Sequence, residues 1–305
     1  MRLLNLTIPF LSLLIACNNN KTNENTSAQS LDTASLSNKE FALAYRDGDK
    51  IVVASIDTMK QVSFGGATDP AISPDGTKLA YTISDSAGHR SIWVADLDHK
   101  TQAQLPVDND NYYQAMWSPS GNKIAFSIFD RENRWKVGVI NTDHSGYKML
   151  GSTSPIDIYS PTWKNEQELI GHDLTNLYTL DLSGKVIDTQ PLASLVGKEL
   201  SLSSSNRFFY TKDGKKLVFN AGNSDIVNSV GPNEAVYVLD IVSKKTSKIS
   251  PEGFNASSVY VTADDQIFYS ASKTSDSIFQ IYTADLSGNI KMIVEKGLSP
   301  TGALK

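Results

Sequence analysis

The sequence predicts an all-β protein, a six-bladed β-propeller of four-stranded antiparallel blades, on three observations. First, Ala71–Tyr81 (AISPDGTKLAY) aligns without a gap on Met116–Phe126 (MWSPSGNKIAF), 45 residues downstream. Second, an alternating strand ending in an acid, an amide or a serine recurs six times, at Ile51–Ser55, Ile92–Asp96, Val137–Asn141, Leu177–Asp181, Val236–Asp240 and Ile281–Asp285. Its last residues are spaced by 41, 45, 40, 59 and 45 positions, the period of propeller blades. Third, the two ends of the repeat region complement each other.

The local chemistry supports strands and tight turns. In Pro74-Asp75-Gly76 the proline presets φ, the aspartate bonds its own backbone and the glycine tolerates positive φ. β-Branched and aromatic residues alternate on both sides. Asp181–Gly184 and Asp285–Gly288, both Asp-Leu-Ser-Gly, mark a second hairpin turn. Weaker copies of the first turn lie at Trp163–Ile170, Tyr210–Phe219 and Val261–Tyr269. Outside the extreme N-terminus no long stretch has helical periodicity. Radial packing of such sheets leaves only short, protected edges.

Closure follows from the ends. Phe41–Tyr45 reads as a strand that follows a first-strand turn, and Gly297–Gly302 reads as a copy of that turn. The C-terminus is therefore expected to supply the innermost strand of the blade begun by the N-terminus, with blade one built from residues 41–64 and 293–305.

The N-terminus has a different character. Met1 and Arg2 precede an apolar run from Leu3 to Ala16, broken by Asn5, Thr7, Pro9 and Ser12. That run is shorter than the roughly 20 residues of a spanning helix and suits a secretory signal. Leu14-Ile15-Ala16-Cys17 resembles the bacterial lipobox. The resemblance implies cleavage before Cys17, acylation of Cys17, and anchoring in a membrane. Cys17 is the sole cysteine of the chain, so no internal disulfide is available. Residues 1–16 are thus expected to be a signal peptide. Residues 17–40, rich in Asn, Ser and Thr and free of aromatics after the cysteine, are expected to be a tether. As a coil it reaches roughly 25–30 Å. Residues 41–305 make the globular unit.

The whole chain carries 28 basic and 33 acidic residues, a net charge of −5, and loss of residues 1–16 removes Arg2 alone. No basic face is available for nucleic acid, and no polybasic patch for anionic lipid, so acyl chains would do the anchoring.

The Ser-Pro-Asp-Gly and Ser-Pro-Ser-Gly units, followed by Lys78-Leu79-Ala80-Tyr81 and Lys123-Ile124-Ala125-Phe126, resemble the propeller repeats of TolB-like proteins. The resemblance spans residues 41–305 and is clearest in blades two and three. It departs at Trp163–Ile170, which lacks Pro-Asp-Gly, and at an insert over Asn220–Glu234. It implies a cell-envelope protein, and because Asn18 rather than Asp follows Cys17, the outer membrane is the favoured address. It does not settle activity, since relatives include scaffolds, gating propellers of serine peptidases and sugar lyases.

Catalytic signatures are sparse. No Gly-x-Ser-x-Gly elbow occurs. His89, His99, His144 and His172 make no metal-ligand spacing, so neither a metal nor another cofactor is expected. Asp96, Asp181, Asp240 and Asp285 recur once per blade, which suits turn capping better than catalysis. The sequence reads as a non-catalytic binding propeller for an envelope protein, peptide or glycan. The alternative is a polysaccharide lyase or glycosidase working at the channel mouth.

Repeat alignment nominates the mouth. Three positions before Ile72, Trp117, Trp163, Tyr210 and Val261 stand Asp69, Gln114, Ser160, Arg207 and Ser258, with Glu295 as the sixth member; one position earlier stand Tyr113 and Tyr159. Different residues at one geometric position of a repeat suit recognition. Asp130–Trp135, with two arginines and a tryptophan, and the Asn220–Glu234 insert are further candidates. If Cys17 is acylated, Cys17→Ala expressed in a bacterial host will lose palmitate labelling and move from the membrane to the soluble fraction. Unchanged membrane retention would contradict the anchor.

Overall fold

The computed structural model describes residues 42–54, 61–226, 232–273 and 277–303. The expected signal, Cys17, the tether, Ser55 and the tip of the blade-five insert lie outside the described residues. Twenty-four strands form six four-stranded antiparallel sheets. Blade one begins with β1 (Leu43–Asp47), β2 (Lys50–Ala54) and β3 (Gln61–Gly65). Blade two is β4 (Ala67–Ile72), β5 (Lys78–Ser84), β6 (Arg90–Asp96) and β7 (Thr101–Gln104). Blade three is β8 (Tyr112–Trp117), β9 (Lys123–Phe129), β10 (Trp135–Asn141) and β11 (Lys148–Leu150). Blade four is β12 (Tyr159–Trp163), β13 (Glu168–His172), β14 (Asn176–Asp181) and β15 (Val186–Pro191), followed by one helical turn, α1 (Leu192–Leu195). Blade five is β16 (Phe208–Tyr210), β17 (Lys216–Ile226), β18 (Pro232–Asp240) and β19 (Thr246–Lys248). Blade six is β20 (Phe254–Val261), β21 (Ile267–Lys273), β22 (Gln280–Ala284) and β23 (Ile290–Val294). The last strand, β24 (Leu298–Gly302), returns to pair with β1 and completes blade one.

That pairing matches Leu43 to Gly302 and Ala44 to Thr301, as closure by shared strands requires. One detail differs from expectation. Register equates Gly302 with Ile72, so Ser299-Pro300 corresponds to Asp69-Pro70 inside the inner strand and not to the Ser73-Pro74 turn. The sixth member of the matched set is therefore Ser299, and Glu295 falls before the strand. A Ser-Pro pair occurs in both places of the repeat, and local sequence does not distinguish them.

The turns form as their residues dictate. Asp75 Oδ1 accepts the Ser73 hydroxyl at 2.6 Å and the Thr77 amide at 3.0 Å. Asp213 and Asp264 accept the hydroxyls of Thr211 and Thr262 in the equivalent turns. Asp181 and Asp285 each accept two amides of their own hairpins, which assigns the recurrent acids to turn geometry. Asp96 is also held by Lys78 Nζ at 2.6 Å. Partial burial works against its charge, yet the Lys78 and His99 hydrogen bonds bring its pKa down to about 2.

The inner strands are stitched blade to blade. The Trp117 indole donates to the Ala71 carbonyl at 2.8 Å, and the Trp163 indole repeats this on Met116 at 2.9 Å. The Thr162 hydroxyl donates to the Phe208 carbonyl at 2.5 Å, and the Ile72 amide donates to the Thr301 hydroxyl at 3.1 Å. Phe209 and Tyr260 meet edge to face, 5.9 Å between centroids, at the junction of blades five and six. The blade-one to blade-six junction depends on Gly302, where a methyl would overlap the Phe268 ring.

Two outcomes follow. Gly302→Ala will lower thermal stability by about 1–3 kcal/mol, the range for overpacking a filled core; an unchanged midpoint in a calorimetric scan would show that the seam relaxes freely. Trp117→Phe, which keeps an aromatic ring but removes the donor and part of the buried volume, will cost about 1 kcal/mol or more by denaturant titration.

Candidate functional site

Adjacent inner strands pack in the order of blades one to six and back to one, with β16 meeting β20 through Phe209 and Tyr260, so all six line a central channel. In five of the six, one residue is added against the partner strand, between Thr68 and Ala71, Tyr113 and Met116, Tyr159 and Thr162, Ser257 and Tyr260, and in β24 opposite Ala44–Arg46. Such a β-bulge re-aims a side chain and tightens the local twist. At each bulge one residue adopts a left-handed backbone: Asp69 (φ 49°), Gln114 (φ 59°), Ser160 (φ 47°), Ser258 (φ 55°) and Ser299 (φ 51°). Non-glycine residues pay for this conformation with of order 1–3 kcal/mol of strain each. Four of these positions are among those the repeat alignment selects, although nothing in the sequence announces the bulge.

The fifth selected position differs. Arg207 has no left-handed backbone and its strand, β16, is only three residues long. The chain enters it through a turn in which the Ser203 amide donates to Asn206 Oδ1 at 2.6 Å. Arg207 itself donates its amide to Asn220 Oδ1 at 3.4 Å. The insert that begins at Asn220 proves to be an extension of the β17–β18 hairpin, paired from Lys216–Asp240 to Ile226–Pro232. Asn220 and Glu234 stand at its base, and Glu234 is gripped by the carboxamides of Asn206 and Asn220 at 2.9 and 2.8 Å.

Asp69, Gln114, Arg207, Ser258, Ser299 and Glu234 come together around a cavity of about 140 Å³ at one end of the channel. Arg207 is half-buried, and among the described residues no hydrogen bond or ion pair holds its guanidinium. Burial pulls its pKa below the ordinary arginine value, opposed by Asp69 and, less, by Tyr260 and Tyr113. Tyr260 is pushed up to about 12 by burial, against the pull of Arg207.

Three selected residues are not on that cavity. Ser160 is buried and spends its hydroxyl on the Ser204 carbonyl at 2.7 Å. Tyr159 turns to the His172 ring, 6.0 Å away. Tyr113 lies under the Arg90 guanidinium, 3.5 Å from its centroid, and meets Trp135 edge to face at 5.4 Å. In blades three and four the residue before the bulge packs on neighbouring rings, whereas its counterpart in blade six, Ser257, lines the cavity. Trp135 thus packs at the seam of blades two and three, while Arg131 remains exposed.

The histidines divide by burial. His99 and His144 sit exposed in hairpin turns and His89 lies beside Asp85. His172 is fully buried, with Nε2 2.9 Å from the Asn206 carbonyl, and burial lowers its pKa. Among the described residues no group of three or more His, Cys, Asp or Glu is placed to hold a metal ion.

The opposite end of the channel is wider, about 500 Å³, and apolar in its walls, with Trp117, Trp163, Phe209 and Tyr260 beneath a rim of Lys164, Lys212 and Asp264. Sequence reading passed over this end because those aromatics fill the slots of core residues. Glu166 caps the Ser120 turn and Asp265 caps the Lys212 amide across neighbouring blades, which holds the rim.

These features define a six-bladed β-propeller with a polar and an aromatic channel mouth. More narrowly, its fold is TolB-like. It is similar to TolB from Acinetobacter baumannii, with a TM-score of 0.62 and 17% identity over 87% of this chain and 66% of that one. A chain of a nidogen/laminin complex gives a TM-score of 0.59 at 13% identity, over 87% of this chain and 98% of that one. The β-propeller domain of the Trilobed protease from Pyrococcus furiosus gives 0.52 at 15% identity over 84% of each, and is described as having an open velcro topology, unlike the shared blade here. At this identity the likeness extends to fold alone. No protein-family model and no curated protein matches the chain. Among the described residues no helix is long and apolar enough to cross a membrane.

The lowered pKa of His172 fixes a sign. The unfolded chain takes up this proton near pH 6.5 and the folded chain resists it, so stability present above that pH is lost as pH falls. His172→Gln, which can still donate to Asn206, will flatten the fall in melting temperature between pH 7 and pH 5. An unchanged slope would place the acid sensitivity elsewhere.

Proposed function

We propose that this chain is a non-catalytic, lipid-anchored propeller of the cell envelope, and that its polar mouth receives a segment of a peptide or protein partner. The observation that carries the reading is the matched ring: four bulged strands and the residue that enters β16 bring different polar side chains to one cavity. Strain retained at the four equivalent positions Asp69, Gln114, Ser258 and Ser299 is best explained by a requirement on where those side chains point. The recurrent aspartates are engaged in turns, which supports binding over acid–base chemistry. Cys17 and the lipobox-like residues before it support the anchor, and Asn18 after it supports the outer-membrane address. A cavity of about 140 Å³ resembles in size an engineered one that holds benzene, so it suits a side chain or chain end better than a sugar polymer.

The test uses the full-length lipoprotein. A photo-crosslinking amino acid at Gln114 is expected to capture an envelope protein that the same probe at the exposed rim residue Val242 does not. Gln114→Trp, which fills the cavity, is expected to reduce capture by at least tenfold from a probe at Ser258. Equal capture from the mouth and rim positions would refute the reading, as would turnover of a polysaccharide that Arg207→Gln abolishes.

A further inference from the structure

Blades two and five face each other across a ring of six, and they place Asp69 and Arg207 on opposite sides of the polar cavity. No ion pair joins them, since no carboxylate oxygen lies within 4 Å of the guanidinium among the described residues. No hydrogen bond holds the Asp69 carboxylate there either, nor the Gln114 carboxamide. The cavity thus presents a half-buried cation and a half-buried anion, each without a direct partner, with neutral polar groups between them. Half-buried charges of this kind are costly unless something pairs them.

Glu234 decides which ligand chemistry fits. Its carboxylate is already gripped by Asn206 and Asn220, so it is not a free acceptor. Its charge nevertheless adds to that of Asp69. One cation against two carboxylates disfavours a bare anion, although a carboxylate suits Arg207 by its planar fork. A molecule carrying carboxylate and ammonium at separate ends satisfies both walls. The volume, about 140 Å³, admits a ligand of roughly six to ten non-hydrogen atoms, judged from the benzene-sized cavity of similar volume.

We infer that the polar mouth binds a small zwitterion, an α-amino acid or dipeptide, with its carboxylate on Arg207 and its ammonium on Asp69. This rests on the mouth being a peptide-recognition site and specifies its ligand. Two-point pairing across the channel also sets the ligand's direction.

Titration calorimetry on the full-length protein in detergent tests it, with glycylglycine, N-acetylglycylglycine, glycylglycinamide and glycine as probes. Glycylglycine is expected to bind, and each capped form to bind at least tenfold more weakly. In Arg207→Gln the amide should bind as well as the free carboxylate, and in Asp69→Asn the acetylated form as well as the free amine. A merely structural role for either residue would not produce that exchange of preferences. Melting temperatures of both variants report folding. Glycine binding as tightly as glycylglycine assigns a free amino acid, and tighter glycylglycine assigns a peptide. Capped and uncapped probes of equal affinity, or no saturable binding in the millimolar range, would overturn the inference. Mouth-specific crosslinking without dipeptide binding would overturn this inference alone and leave the partner-binding reading standing.

Discussion

The pairing of β24 with β1 is the constraint on which the other features depend. A single four-stranded sheet cannot bury both faces, and each blade here is covered only by its neighbours. The ring removes that problem only if it closes, and closure depends on two strands more than 250 residues apart in sequence. The seam shows how tightly the closure is specified. Gly302 leaves room for Phe268, Thr301 receives the Ile72 amide, and the Ala303 amide donates to Ala42. Contact between chain ends is expensive in loop entropy and rewarded late in folding, so the bonds at this seam matter out of proportion to their number.

From closure follows the channel, and from the channel its two unlike mouths. Each inner strand runs from one to the other. In β8, Gln114 and Ala115 face the polar end while Met116 and Trp117 face the aromatic one. The bulge separates the two zones. Before it the strand must hold polar groups toward water. After it the indole donors of Trp117 and Trp163 bind the preceding blade. One backbone irregularity, repeated around the ring, thereby serves both cohesion and presentation.

Blade five breaks the repeat where it contributes charge to the polar cavity. Its inner strand is short, its bulge is absent, and its central hairpin is lengthened. Those departures place Arg207, Asn220 and Glu234 together. In a repeat protein, the unit that abandons the common pattern is free of its geometric demands, and here it supplies the sole cation of the polar cavity's lining.

The sequence by itself determined blade number, strand type, the shared blade and the turn role of Asp96, Asp181, Asp240 and Asp285, because periodicity and turn chemistry are local or repeat at fixed intervals. It also placed Asp69, Gln114, Arg207 and Ser258 at one level of the ring, because matched positions in a repeat are matched in space. Only the tertiary structure decided which of those side chains face the cavity. Tyr113, Tyr159 and Ser160 are engaged instead by Arg90, His172 and the Ser204 carbonyl, neighbours that the repeat position does not specify. It likewise decided that Ser299 and not Glu295 completes the ring, since strand register is set by pairing with β1 and not by the Ser-Pro pair. The aromatic mouth was illegible for a related reason: a tryptophan that lines a channel and one that fills a core obey the same alternation, and only the gap between opposite blades tells them apart.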